Sequence, residues 1–199
     1  LPSQTKQVLF TLPYVDTAIA WGDSLNGPHI VYPKPHSALD SYVYQIEGGQ
    51  LHRLPVVGKN LSLLYNSPLL TYSYRIDNGR EAATRNSFLY NLEENLTTPL
   101  PVPVIKEKCT FANSTDHSLW CASSISKTED KLQEWYRGEY VANDVIWQVD
   151  LLGNSGRLLV NIQRESGREV DIDRIKNSSD DKMLLFTNHL NNTLWLYEI

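Results

Sequence analysis

Residues able to do covalent or metal chemistry are few and scattered along this chain. Five histidines, His29, His36, His52, His117 and His189, show neither an i, i+4 pair nor a cluster. None has the spacing of a metal-ligand set or of a general base beside a nucleophile. Gly153-Asn154-Ser155-Gly156 stops short of the G-x-S-x-G nucleophile elbow and lies between two apolar runs, where a hairpin turn is wanted. No Gly-rich phosphate loop and no EF-hand pattern is present. The two cysteines, Cys109 and Cys121, have no histidine at ligand spacing and do not form a zinc set. The sequence therefore points to no catalytic residue, no metal and no cofactor.

Residues that make contacts are better represented. The stretch Ser123–Asn143 mixes the acids Glu129, Asp130, Glu134 and Glu139 with Trp135, Tyr136, Arg137 and Tyr140. Trp, Tyr and Arg dominate the energetics of protein interfaces. Trp135, Tyr136, Arg137, Glu139 and Tyr140 are thus candidate contacts for a protein or cell-envelope glycan. The competing role for Trp135 and Tyr136 is to pin a long loop onto the body of the protein. The charged segment Asn78–Arg85 reads as a solvated surface, and the Pro33–His36 segment with Asp40 as an ordered loop rather than a site.

The elements that position this stretch follow from periodicity. Short β-branched and aromatic runs separated by Asn/Ser/Asp-rich turns mark antiparallel meanders. The C-terminal copy is the clearest, with runs at Ile172–Ile175, Met183–Thr187 and Thr193–Ile199. Tyr42–Ile46, Phe88–Leu92, Val145–Val149 and Thr193–Tyr197 superimpose without a gap, each with an aliphatic residue followed by Tyr or Trp. Three of the four copies run on into a fourth strand, near Leu51–Leu54, Leu96–Leu100 and Arg157–Val160. Four-stranded meanders repeating every 40 to 60 residues or so are β-propeller blades. The expected fold is all-β, with blades at about 13–55, 56–101, 102–160 and 161–199, residues 1–199 forming a β-propeller domain or part of one. Gln7–Leu12 is expected as a strand that either completes the last blade, closing a four-bladed ring, or ends a preceding blade of a larger propeller. A start at Leu1 rather than Met suggests processing or membership of a longer polypeptide.

Cys109 and Cys121 lie on the first two strands of the third copy, symmetric about Thr115. If Phe111 faces Leu119, the cysteines face each other within disulfide reach, which implies an oxidising compartment. Asn60, Asn95, Asn113, Asn177 and Asn191 begin formal N-x-Ser/Thr glycosylation acceptors, although turn chemistry explains Asn and Ser at these places. The net charge of −5, with no basic stretch interleaved with aromatics, argues against a nucleic-acid partner. No apolar run approaches the roughly 20 residues a membrane-spanning helix requires.

The segments SSDDKMLLFT and NTLWLYEI resemble blades of the TolB-type, WD40-like propellers of bacterial envelope proteins. Glu107-Lys108-Cys109, Leu119-Trp120-Cys121-Ala122, Trp135-Tyr136-Arg137-Gly138 and Asp144-Val145-Ile146-Trp147 are similar, in that order, to the C-terminal propeller half of uncharacterised bacterial surface proteins. Where those proteins tend to carry Pro-Asp-Asp before the Trp, this chain has Leu132-Gln133-Glu134. The resemblance implies an architecture and an extracytoplasmic setting, at the cell surface, in the periplasm or secreted. It implies no reaction, since one fold hosts many functions. The function expected is a non-catalytic binding or scaffold module working through its long strand 2–3 loops, Pro33–Ser41, Asp77–Asn86 and Ser123–Asn143. The alternatives are a polymer-acting hydrolase or lyase on a propeller scaffold and a purely structural spacer.

Overall fold

In the computed structural model, residues 8, 11, 16–22, 28–79, 82–113, 117–124 and 129–199 are described. The expected strand Gln7–Leu12 lies largely outside the described residues. Alternation of apolar and polar side chains builds antiparallel sheets in chain order. The first sheet has seven strands: β1 (Thr17–Ala20), β2 (His29–Pro33), β3 (Asp40–Glu47), β4 (Gln50–Asn66), β5 (Leu69–Ile76), β6 (Thr84–Asn91) and β7 (Leu96–Leu100). The second contains β8 (Cys109–Phe111), β9 (Ser118–Ser123), β10 (Val145–Asp150) and β11 (Ser155–Val160). The third contains β12 (Ile172–Asn177), β13 (Met183–Asn188) and β14 (Thr193–Glu198).

One difference from the repeat pattern is instructive. The expected break between the first two repeats, at residues 55 and 56, falls inside the continuous strand β4. Its first half pairs with β3 and its second half with β5, and the register shifts at both junctions. Pro55 sits within the first shift, where a missing N–H interrupts no ladder bond. Asn60 sits within the second, with φ 51°, a left-handed conformation that Asn tolerates better than most residues. Two four-stranded meanders thus share one bent strand. A second difference concerns loop length: β1 and β2 are separated by residues 21–28, a longer span than residues 34–39 between β2 and β3.

Successive meanders bury their faces against one another. Ile30, Val43, Val56, Leu61 and Leu70 fill the angle inside the first sheet. Leu69 and Leu89 meet Leu119, Cys121 and Val149 of the second. Trp120 and Ile146 meet Ile172, Leu184 and Phe186 of the third. Strand β9 shows why a period of two is needed: Leu119 and Cys121 face one interface, and Trp120 and Ala122 the other. The outward face of the last sheet carries Leu194 and Leu196, 66% and 62% exposed.

Cys109 pairs with Cys121 and Phe111 with Leu119 in the β8–β9 register, and the two cysteines are joined as a disulfide with a Cα–Cα distance of 4.1 Å. Two short helices, α1 (Leu132–Tyr136) and α2 (Ile162–Ser166), lie in connections that the sequence pattern leaves as loop or turn. Among the described residues, no helix is long and apolar enough to cross a membrane.

Because the disulfide closes a short loop between adjacent strands, its chief effect is on the unfolded chain. Replacing both cysteines by Ala should lower stability by about 2–3 kcal/mol while the far-ultraviolet spectrum keeps its β signature. Denaturant unfolding of the double variant, compared with the native chain under non-reducing conditions, measures this.

Candidate functional site

The three connections expected to carry function converge. Helix α1 lies in the longest of them, residues 124–144, between β9 and β10. It spans Leu132–Tyr136, and its N-terminal flank Lys131 makes no side-chain cap. Such a helix is held by tertiary contacts rather than by its own propensity. Leu132 and Trp135, three residues apart, are its buried positions. Gln133 Nε2 donates to the Pro35 carbonyl at 3.3 Å and to Asn60 Oδ1 at 2.7 Å. The Asp130 N–H donates to the Ala83 carbonyl at 2.7 Å, and the Asn60 N–H to the His36 carbonyl at 2.8 Å. The β2–β3, β5–β6 and β9–β10 connections are thereby tied into one surface.

Two buried ionic clusters lie beneath that surface. In the first, the Arg85 guanidinium reaches both oxygens of Asp130, at 3.0 and 3.1 Å, with the two side chains 5% and 2% exposed. Its remaining donors go to Ser73 Oγ at 2.9 Å and the Asn60 carbonyl at 3.0 Å. In the second, Lys108 Nζ donates to Asp144 Oδ2 at 2.5 Å and to Asp171 Oδ1 at 2.6 Å. Trp135 Nε1–H is 2.9 Å from both oxygens of Asp171, and Lys108 lies 4.7 Å from the centre of the Trp135 ring. The Ile172 N–H donates to Asp144 Oδ2 at 2.9 Å. Lys108, Asp144 and Asp171 immediately precede β8, β10 and β12, so strand entry on two sheets places them together. Burial pushes the Asp144 carboxyl above its ordinary range, against the pull of Lys108 and the Ile172 N–H.

Between α1 and the sheets is a cleft of about 570 Å³, counting the open space at its mouth. Charged Arg85, Lys108, Asp130 and Asp144, with aromatic Trp135 and Tyr140, form much of its wall. Three of its carboxylates pair with cations: Asp130 with Arg85, Asp144 with Lys108 and Glu129 with Lys131. Among the described residues, no group of three or more His, Cys, Asp or Glu side chains is placed to hold a metal ion.

The five contact residues singled out from the sequence divide into two sets. Trp135 is 4% exposed, so it anchors the loop and walls the cleft instead of standing proud of the surface. Tyr136 is 38% exposed, and its hydroxyl donates to Glu107 Oε2 at 2.8 Å. Arg137 and Glu139 pair with each other at 2.8 Å, with side chains 59% and 57% exposed. Tyr140 is half-buried and lines the cleft. The sequence reading put Arg85 on a solvated segment, whereas its side chain is 5% exposed and held by Asp130; it gave no role to Lys108, Asp144 or Asp171 and placed Asp130 only as one acid among several. The available signal was a single charged residue directly before an apolar strand, as in Lys108-Cys109 and Asp144-Val145.

Other sequence features resolve simply. Asn154, with φ 45°, lies in the β10–β11 turn, where Asp150 Oδ1 accepts from the Leu152 and Gly153 N–H groups. Asn60 of the first glycosylation acceptor is 1% exposed. Asn95 and Asn191 serve in turns, accepting from the Tyr90 hydroxyl at 2.7 Å and from Thr193 Oγ1 at 2.6 Å.

No family model matches the chain, and no curated protein matches its sequence. Among solved structures it is similar to TolB from Acinetobacter baumannii, with a TM-score of 0.52 at 13% identity over 85% of this chain and 39% of that one. The chain has a TolB-like β-propeller fold. It spans 39% of the length of that TolB chain, and at this identity the likeness speaks for the fold alone. A weaker likeness is to the tricorn protease, with a TM-score of 0.37 at 8% identity over 86% of this chain and 24% of that one.

Removing Asp130 would leave the Arg85 guanidinium buried without its carboxylate and would free the loop–loop junction. Asp130→Ala should destabilise the chain by about 3–5 kcal/mol, whereas exposed Glu139→Ala should change stability by less than about 0.5 kcal/mol. Parallel urea titrations of the two variants check the difference.

Proposed function

We propose that this propeller is a non-catalytic binding module that works outside the cytoplasm and holds a protein partner on its long-loop face. In this reading the blades are 13–55, 56–101, 102–160 and 161–199, the first two sharing β4. The observation that carries the reading is the fastening of the three loop connections through Gln133, Asp130 and Asn60. A surface fixed in this way loses little conformational entropy when a partner docks. At its rim stand Tyr136, the Arg137–Glu139 pair and Tyr140, residue types suited to a protein interface. Trp135, the side chain best suited to stack on a sugar ring, is buried, with Lys108 on its face, which favours a protein over an envelope glycan. The Cys109–Cys121 disulfide supports an oxidising, extracytoplasmic location.

Because Trp135 is structural, the test uses rim residues. The native chain and a Tyr136→Ala/Arg137→Ala/Tyr140→Ala variant with an unchanged melting temperature would each be used to capture ligands from a cell-envelope extract. A protein retained by the native chain and weakened at least about tenfold by the variant is the expected result. A captured species that survives protease and is released by glycan cleavage would replace the protein partner with a glycan. Equal capture by both chains, or none by either, would favour the spacer role.

A further inference from the structure

The repeated pair of an aliphatic residue followed by Tyr or Trp has a role that the long-loop face does not use. On the third strand of each meander the two side chains point to opposite faces. Val43 and Tyr90 lie in the packing between the first two meanders. Leu89 and Trp147 lie between the first and second sheets, and Ile146 and Trp195 between the second and third. In each interface the aliphatic residue faces the meander that follows, and the aromatic faces the one before. The adjoining second strands agree, with Ile30, Leu69 and Trp120 buried toward the meander that follows.

The two ends of the stack break the series. Leu194 stands where Ile146 stands one sheet earlier, yet Ile146 is fully buried and Leu194 is 66% exposed. Leu185, which pairs with Leu196 as Trp120 pairs with Gln148, is exposed as well, and Leu196 and Met183 extend the patch. Scattered apolar residues on a surface need no partner, but adjacent ones repeating the chemistry of a buried interface do. At the other end, Ile19, Val31 and Tyr44 align across β1, β2 and β3, on the side away from the core that holds Ile30 and Val43. Tyr42 and Val57, paired across β3 and β4, share that side, and Ile19 and Val57 are exposed. The last meander thus presents the face that elsewhere is covered by a following meander, and the first presents the face that elsewhere does the covering.

We propose that a second copy of the chain covers the Leu194 face with its own first meander, Ile19, Tyr44 and Val57 of one copy packing on Leu185, Leu194 and Leu196 of the other. Ile19 and Leu194 are exposed in the same molecule, so neither end is covered by the opposite end of its own copy. The contact continues, between copies, the aliphatic-to-aromatic stacking formed three times within the chain. Because it joins unlike faces, copies add head to tail until a ring closes or a filament grows. It does not rest on the protein-partner reading of the long-loop face.

Sedimentation velocity on the folded 199-residue chain, from about 1 μM to about 100 μM, reads the association. The native protein should at least double its mass as concentration rises. Leu194→Glu/Leu196→Glu blocks the last meander's face, and Ile19→Glu/Val57→Glu blocks the first meander's. These positions are exposed, so both variants should keep the native melting temperature. Each variant alone should stay monomeric. Mixed in equal amounts, they should form a particle of twice the monomer mass and no larger, because one open face of each kind remains. If a glutamate pair lowers the melting temperature, the corresponding serine pair replaces it and should weaken association at least about tenfold. A native chain monomeric throughout, an equal mixture that stays monomeric, or undiminished association in a folded serine pair would overturn the inference. So would association surviving in either glutamate variant alone, which would point instead to like faces meeting across a twofold axis.

Discussion

Asp171 is the joint on which the architecture around the cleft turns. Its carboxylate takes both the Lys108 ammonium and the Trp135 indole N–H, and its backbone N–H is capped by Asn188 Oδ1 at 3.2 Å. Those groups come from the segment before β8, from α1 and from the end of β13. One side chain therefore connects the second sheet, the long loop and the third sheet, at a point where apolar packing alone has no directional preference. Hydrophobic contact explains why the sheets stack, and burial of roughly 25 cal/mol per Å² supplies the driving force. It does not explain why the loop settles in one place. A charged, directional cluster does, since displacing any member would leave another buried and unpaired.

The same cluster separates two tasks within the loop. Trp135 and Leu132 point inward and are satisfied by the body of the protein. Tyr136, Arg137 and Glu139 are left at the rim, where their contacts are local or solvent-exposed. Exposed pairs such as Arg137–Glu139 contribute little to stability, on the order of 0–1 kcal/mol. Interior charge fixes the surface, and the rim side chains contribute little to holding it.

This division also accounts for what could be read from the chain. The strands were legible because their signal is local: β3, β6, β10 and β14 each carry an aliphatic residue followed by Tyr or Trp on a period of two. The Cys109–Cys121 register was legible because symmetry about one turn fixes it. Helix α1 was not, being one short turn without a side-chain cap on its flanking Lys131. Nor was the continuity of β4, because Pro55 and a left-handed Asn60 are residues that normally end a strand. The ionic site was least legible of all. Lys108 is separated from Asp144 by 36 positions and from Asp171 by 63, and each alone looks like an ordinary charge before an apolar strand. Only the stacking of the sheets turns three such charges into one site.

Asp144 shares the single Lys108 ammonium with Asp171, and a proton can make up the shortfall. Burial raises this carboxyl above its unfolded value despite Lys108 and the Ile172 N–H, and the neighbouring Asp171 charge adds to the rise. The folded chain therefore takes up a proton at Asp144 more readily than the unfolded chain does. The stabilising contribution is present below the ordinary carboxylate range and is lost as pH rises through the elevated folded value. Above that window the site holds a charge it would be more stable without.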